Sequence, residues 1–111
     1  MDSLAIGIDL GTYNSCAAYA EGKSHVHIIK SQHGPTPQGL VFPSFLRFDA
    51  LGDVEAYGED ARLQMAIAPD SVVWGVKRLI GRSFYEVERD LHRFAYQIER
   101  GPDGRVVISM T

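Results

Sequence analysis

Hydrophobic and polar positions divide this chain into short alternating runs separated by glycine- and proline-rich punctuation. Leu4, Ala5, Ile6 and Ile8 lead to an acid, Asp9. A Gly11-Thr12 turn comes two residues later, and a second apolar run occupies residues 16–20. The order predicted is strand, tight turn, strand, with Asp9 buried at the end of the first strand. Residues 24–29 alternate, His25 and His27 on one face and Val26 and Ile28 on the other, which predicts a half-buried strand. Residues 31–39 carry Gly34, Pro35, Pro37 and Gly39 and read as a loop. Residues 41–48 read as a further strand, with Pro43 near its entry or at an edge. Gly52-Asp53 marks a turn into a short partner strand over 54–57.

The period then changes. Ala61, Met65 and Ala68 fall on one stripe and predict a helix over 59–68, ended by Pro69. Its first turn holds Glu59 and Asp60, where the helix dipole favours acids. Val72, Val73, Val76, Leu79 and Ile80 recur near 3.6 residues and predict a second helix, capped by Asp70 or Ser71 and stopped at Gly81. A third short helix over 85–93 would bury Val87 and Leu91. Residues 95–98 and 106–109 flank Gly101-Pro102-Asp103-Gly104, a turn signal that predicts a terminal hairpin.

Length and charge narrow the function classes. At 111 residues there is material for one domain at most, with 45% apolar and 23% charged residues, an ordinary globular balance. Eleven basic against fourteen acidic residues give a net charge of −3. No basic stripe supports a nucleic-acid partner. The single cysteine, Cys16, excludes an internal disulfide and fits a reducing compartment; in an apolar run it reads as a small core residue. No apolar stretch could span a bilayer, and Met1-Asp2-Ser3 lacks the order of a signal peptide. A cytoplasmic protein without a membrane partner is expected. His25 and His27 lack an evident third metal ligand, so a solvated face is the favoured reading. His33 and His92 show no partner pattern, and Trp74 reads as packing.

The first turn carries the chemistry. A Gly-Thr turn after a strand can aim several backbone N–H groups at one point, an anion-binding concavity. A carboxylate at the strand end suits Mg²⁺, which takes one or two carboxylates together with waters and phosphate oxygens. Acid and amides together point to a nucleotide phosphate site.

Two segments, Gly7-Ile8-Asp9-Leu10-Gly11-Thr12-Tyr13-Asn14-Ser15-Cys16 and Val76-Lys77-Arg78-Leu79-Ile80-Gly81-Arg82-Ser83-Phe84, resemble the nucleotide-binding domain of the heat-shock protein 70 (DnaK-type) chaperones. Phe42-Pro43-Ser44, Gly58-Glu59-Asp60-Ala61 and Ala68-Pro69 lie between them in matching order. The turn alone is shared in outline with actin and sugar kinases; the Lys-Arg-Leu-Ile-Gly-Arg string is far more specific. The resemblance implies an α/β, incomplete actin-like ATPase fold. Residues 1–38 would give the first strands and phosphate loop, and residues 39–111 a small α+β capping subdomain over the nucleotide cleft. Family parts outside this stretch are a second acidic phosphate loop, the adenosine-binding segment, the interdomain linker and the peptide-binding domain. The chain is therefore expected to be a truncated piece of a longer ATPase, and alone not to turn over ATP.

By the same resemblance, Asp9 would hold Mg²⁺ through a water, with K⁺ as a second cation beside it; the alternative is an acid capping a nearby turn. Gly11, lacking Cβ, would let phosphates approach. Thr12, Tyr13 and Asn14 would offer backbone N–H groups to the β- and γ-phosphates of ATP or ADP. Lys77, on the expected helix beside Val73 and Ile80, would be catalytic: its stem lies along the core while its ammonium orients the attacking water and offsets developing charge. The alternative for Lys77 is a solvated lysine. Arg78 and Arg82 would bridge lobes or line the cleft rim. Tyr13 departs from the family, which usually has a second threonine there. Partners implied for the intact protein are unfolded polypeptide clients, a J-domain co-chaperone and a nucleotide-exchange factor; strands left unpaired could drive self-association. Two other readings stay open, a metabolite kinase of the actin-like superfamily and a non-enzymatic docking module.

Overall fold

A computed structural model describes residues 4–31 and 40–110. Residues 32–39 of the expected loop, His33 among them, lie outside the described residues. Strand β1 (Ile6–Leu10) and strand β2 (Asn14–Glu21) form an antiparallel pair in the register Ile6↔Tyr19, Asp9↔Cys16 and Leu10↔Ser15. The expected strand, turn, strand is therefore present, with residues 11–13 as the turn. Strand β3 (His25–Ile28) adds to the other edge of β2, from Ala18↔Ile28 to Glu21↔His25. Strand β4 (Phe42–Pro43) takes the remainder of that edge through Asn14↔Pro43 and Ser15↔Phe42.

The single strand expected over 41–48 is two. Strand β5 (Phe45–Phe48) belongs to a second sheet, between β6 (Val54–Tyr57) and β7 (Val72–Trp74), with Leu46 paired to both Tyr57 and Val73. The break falls at Ser44 for a physical reason. Pro43 has no N–H with which to continue a ladder, and the Ser44 N–H is spent on Tyr13 O at 2.8 Å.

Between β6 and β7, α1 (Glu59–Leu63) is followed by a 3-10 turn over Gln64–Ala66, so the first expected helix forms but tightens before Pro69. The second expected helix does not form. Val72 and Val73 are strand residues, Gly75 is left-handed at φ 68°, and Val76–Arg78 makes one 3-10 turn. Branched Cβ atoms fit the pleated surface beside β5 better than a helical turn, and pairing across the sheet overrides the local period. The Ser71 hydroxyl donates to Ala68 O at 3.0 Å and caps no helix. Leu79 is buried but Ile80 is exposed, which a shared apolar helix face would not allow.

Helix α2 (Phe84–Val87) opens on a capping box between Ser83 and Glu86 and continues as a 3-10 stretch, Glu88–Arg93. Val87 is buried and Leu91 packs at the core's edge. Strands β8 (Gln97–Arg100) and β9 (Val106–Ser109) form the expected hairpin.

The core is built from residues 45–96. Val73, Leu79, Val87, Phe94 and Tyr96 form one cluster; Phe45, Ala61 and Val72 form another; Trp74 packs against both. The first sheet is different. Ile8 is 67% and Val26 72% exposed, so β3 is not half-buried, and Asp9 is exposed rather than buried, because no layer of the described residues covers that sheet. The molecule is elongated, with a radius of gyration of 16.7 Å, against about 13 Å for a compact chain of this length.

Candidate functional site

The turn after β1 is closed tightly by its own backbone. A Cβ on Gly11 would lie 2.1 Å from the Asn14 carbonyl oxygen, so the turn itself demands glycine there, a constraint separate from the phosphate approach expected from the sequence. Ser44 braces the turn from the side. Its hydroxyl donates to Gly11 O at 3.0 Å and lies 2.8 Å from the Ser15 hydroxyl. Ser44 has one hydroxyl proton, committed to Gly11 O, so Ser15 is the donor between them.

Lys77 reaches the same turn from 67 residues further along the chain. Left-handed Gly75 ends β7, and the 3-10 turn that follows carries Lys77 over β1, where Nζ donates to Leu10 O at 2.6 Å. A cavity of about 400 Å³ has Gly11, Thr12, Ser15, Ser44 and Lys77 along one edge, and is otherwise walled by apolar side chains, among them Phe42 at the first sheet's edge, Phe45 and Val73 in the second sheet, and Ile80. An ammonium has three donors; one goes to Leu10 O and leaves two for an anion in that cavity. What a phosphate would meet there is the Lys77 ammonium, the tight glycine turn and the Thr12 hydroxyl, along one edge of a mostly apolar concavity; the Ser15 and Ser44 protons are already committed.

The other residues singled out lie outside that lining. Tyr13 stacks on Trp74 and meets Arg78. Asn14 opens β2, exposed and paired with Pro43. Asp9 is exposed on β1, opposite Cys16, and alternation sets its side chain on the sheet face away from Ile8 and Leu10. Arg78 bridges the loop to the second sheet, whereas Arg82 flanks a separate cavity with Arg105 and Val106. Cys16 is partly buried, and Trp74 is indeed a packing residue, stacked on Phe45 with ring centroids 6.1 Å apart. Reasoning from the residues alone missed Ser44; the signal was the Phe42-Pro43-Ser44 string, noticed only as part of a resemblance.

Among the described residues no group of three or more His, Cys, Asp or Glu side chains could enclose a metal. The Asp9 carboxylate is exposed and outside the cavity lining, so it would hold Mg²⁺ only where waters and phosphate oxygens complete the shell. His27 pairs with Glu21 at 2.9 Å on an open face. The perturbed acids lie elsewhere. A hydrogen bond from Arg62 holds the Glu59 carboxyl below its usual range, and burial raises the Tyr96 phenol, whose hydroxyl donates to Trp74 O at 2.5 Å.

Comparison with known proteins identifies the family. The profile of the Hsp70 protein family matches residues 5–111. A heat shock protein of Pyricularia oryzae is 43% identical over 96 residues, covering 85% of this chain and 14% of the relative. Chaperone protein DnaK of Deinococcus radiodurans is 37% identical over 106 residues, and that of Thermus thermophilus 36% over 107, each covering 96% of this chain and 16% of the relative. The chain belongs to the Hsp70 family. It spans about one sixth of the length of the curated relatives it matches. No helix among the described residues is long and apolar enough to cross a membrane.

Proposed function

We propose that this chain supplies the first phosphate loop and the catalytic lysine of an ATP-hydrolysing chaperone acting in the cytoplasm. In this reading residues 1–38 begin an actin-like ATPase subdomain and residues 39–111 cap its nucleotide cleft. The carrying observation is the Lys77 ammonium on the Leu10 carbonyl, sharing one cavity with Gly11 and Thr12. Family membership favours this reading over a metabolite kinase or a docking module.

Phosphoryl transfer needs positioning and charge neutralisation more than covalent chemistry. The amides of Thr12, Tyr13 and Asn14 would hold the β- and γ-phosphates, with the Thr12 hydroxyl beside them. The two uncommitted Lys77 donors would orient the attacking water and offset charge growing on the γ-phosphate. Asp9 would hold Mg²⁺ through a water, with K⁺ nearby; bound Mg²⁺ supplies neutralisation of phosphate charge. Client polypeptides, a J-domain co-chaperone and a nucleotide-exchange factor belong to the same proposal, through the complete protein.

Lys77→Ala in the complete protein tests it. Hydrolysis should fall about 100- to 1,000-fold, the scale of losing a donor to developing charge, while ATP still binds. A variant that hydrolyses ATP at the wild-type rate removes Lys77 from the chemistry.

A further inference from the structure

Tyr13 turns its side chain from the phosphate cavity toward the second sheet. Its ring stacks on Trp74, with centroids 5.7 Å apart and planes at 25°. The Arg78 guanidinium sits 5.7 Å from the centre of that ring and donates to its hydroxyl at 3.1 Å. Trp74 is itself held by Phe45 and Phe94, at 6.1 and 5.2 Å, so the contact runs on into the core. The Trp74 indole N–H is buried without an acceptor among the described residues, so packing alone sets this ring.

Arg78 and Lys77 are neighbours on one 3-10 turn, and they grip opposite ends of the loop. Lys77 takes Leu10 O before it, and Arg78 takes the Tyr13 hydroxyl at its far end. A loop held at both ends by adjacent residues cannot shift without breaking one contact. A threonine at position 13 is too short to reach Trp74 or Arg78 in this way.

We propose that the Tyr13 side chain is a positioning residue: clamped by Trp74 and Arg78, it fixes the phosphate loop to the turn that carries Lys77. This rests on the ATP-site reading above. Preorganisation of the loop amides takes the place of a direct hydroxyl contact with phosphate, because the cost of ordering the loop is met before ATP arrives.

The test uses the complete protein labelled with 5-fluorotryptophan, the Trp74 resonance being identified by its loss in Trp74→Phe. MgATP should shift that resonance in the wild type. Tyr13→Thr should abolish the shift and weaken MgATP binding about tenfold, less than the full worth of one aromatic stack plus one charge-assisted hydrogen bond because both are partly open to solvent. Tyr13→Phe keeps the stack and guards against a folding defect; it should retain the shift and lose about threefold in affinity. Arg78→Gln should cost less on the Tyr13→Phe background than in the wild type, since the hydrogen bond is already gone and only the guanidinium's contact with the ring remains to be lost. If Tyr13→Thr binds MgATP as well as the wild type, or the wild-type resonance ignores MgATP while binding occurs, the inference fails and the ATP-site reading stands. A wild-type protein that binds no ATP overturns both.

Discussion

Alanine at Gly75 strikes the hinge on which Lys77 is mounted. Gly75 is buried at φ 68° and ψ 21°, a left-handed conformation that costs a residue with a Cβ about 1–2 kcal/mol. The new methyl would also lie 3.0 Å from Phe94 Cε1 and 3.7 Å from Cζ. Phe94 cannot yield freely, because Trp74 and Tyr96 pack on it, each with centroids 5.2 Å away. Displacing it adds about 1–2 kcal/mol, within the usual range for overpacking. Gly52 is the internal control: its φ is 86°, yet a Cβ there meets nothing within 4 Å. Gly52→Ala therefore bears the backbone cost alone, and the unfolded-state benefit of Gly→Ala is common to both variants and cancels between them. For a chain of this size about 1 kcal/mol moves Tm by roughly 4 °C. Gly75→Ala should melt about 4–8 °C below Gly52→Ala, followed by far-UV circular dichroism, with matching urea midpoints. Equal midpoints for the two variants would refute the claim that Phe94 packing holds the hinge.

Two further outcomes follow from the same structure. Ser44→Ala removes the donor to Gly11 O and the acceptor of Ser15; it should cost about 1 kcal/mol in urea unfolding and weaken ATP binding several-fold, and unchanged ATP affinity would show that the turn needs no such brace. The Glu59 carboxyl is held below its ordinary value of 4.5 by the Arg62 hydrogen bond. Such a group stabilises the fold above pH 4.5, and that contribution is lost as pH falls through its lowered value. Glu59→Gln should therefore flatten the acid limb of stability at pH values under about 4.5, measured as urea midpoint against pH; an acid limb identical to the wild type would remove Glu59 from it.

Sequence patterning made the first hairpin, the 54–57 strand and the terminal hairpin legible, because alternation and turn glycines are local signals. It failed over 72–80. There five apolar positions mimic a helical period, while the deciding interaction is pairing with β5 some 27 residues earlier, Val73 against Leu46. Lys77 entered through resemblance; spacing alone offered only a solvated lysine, and its actual mounting on a left-handed glycine was not foreseen. Ser44, and the grip of Trp74 and Arg78 on Tyr13, are tertiary facts with no periodic trace. Gly11 drew notice for phosphate approach, whereas the constraint the fold places on it is the Asn14 carbonyl at the start of the next strand, a tertiary closeness with no trace in the pattern.

The bond from Lys77 to Leu10 spans 67 residues of chain, and the one from Arg78 to Tyr13 spans 65. On the ribosome the early hairpin emerges first, and its lysine follows about 3–13 s later at roughly 5–20 residues per second. A nascent chain paused in that interval has the turn but not the cation. In the proposed reading, grip on a triphosphate would be acquired late, after the second sheet has closed its long loop, and nucleotide capture would then report that both sheets of this stretch have formed.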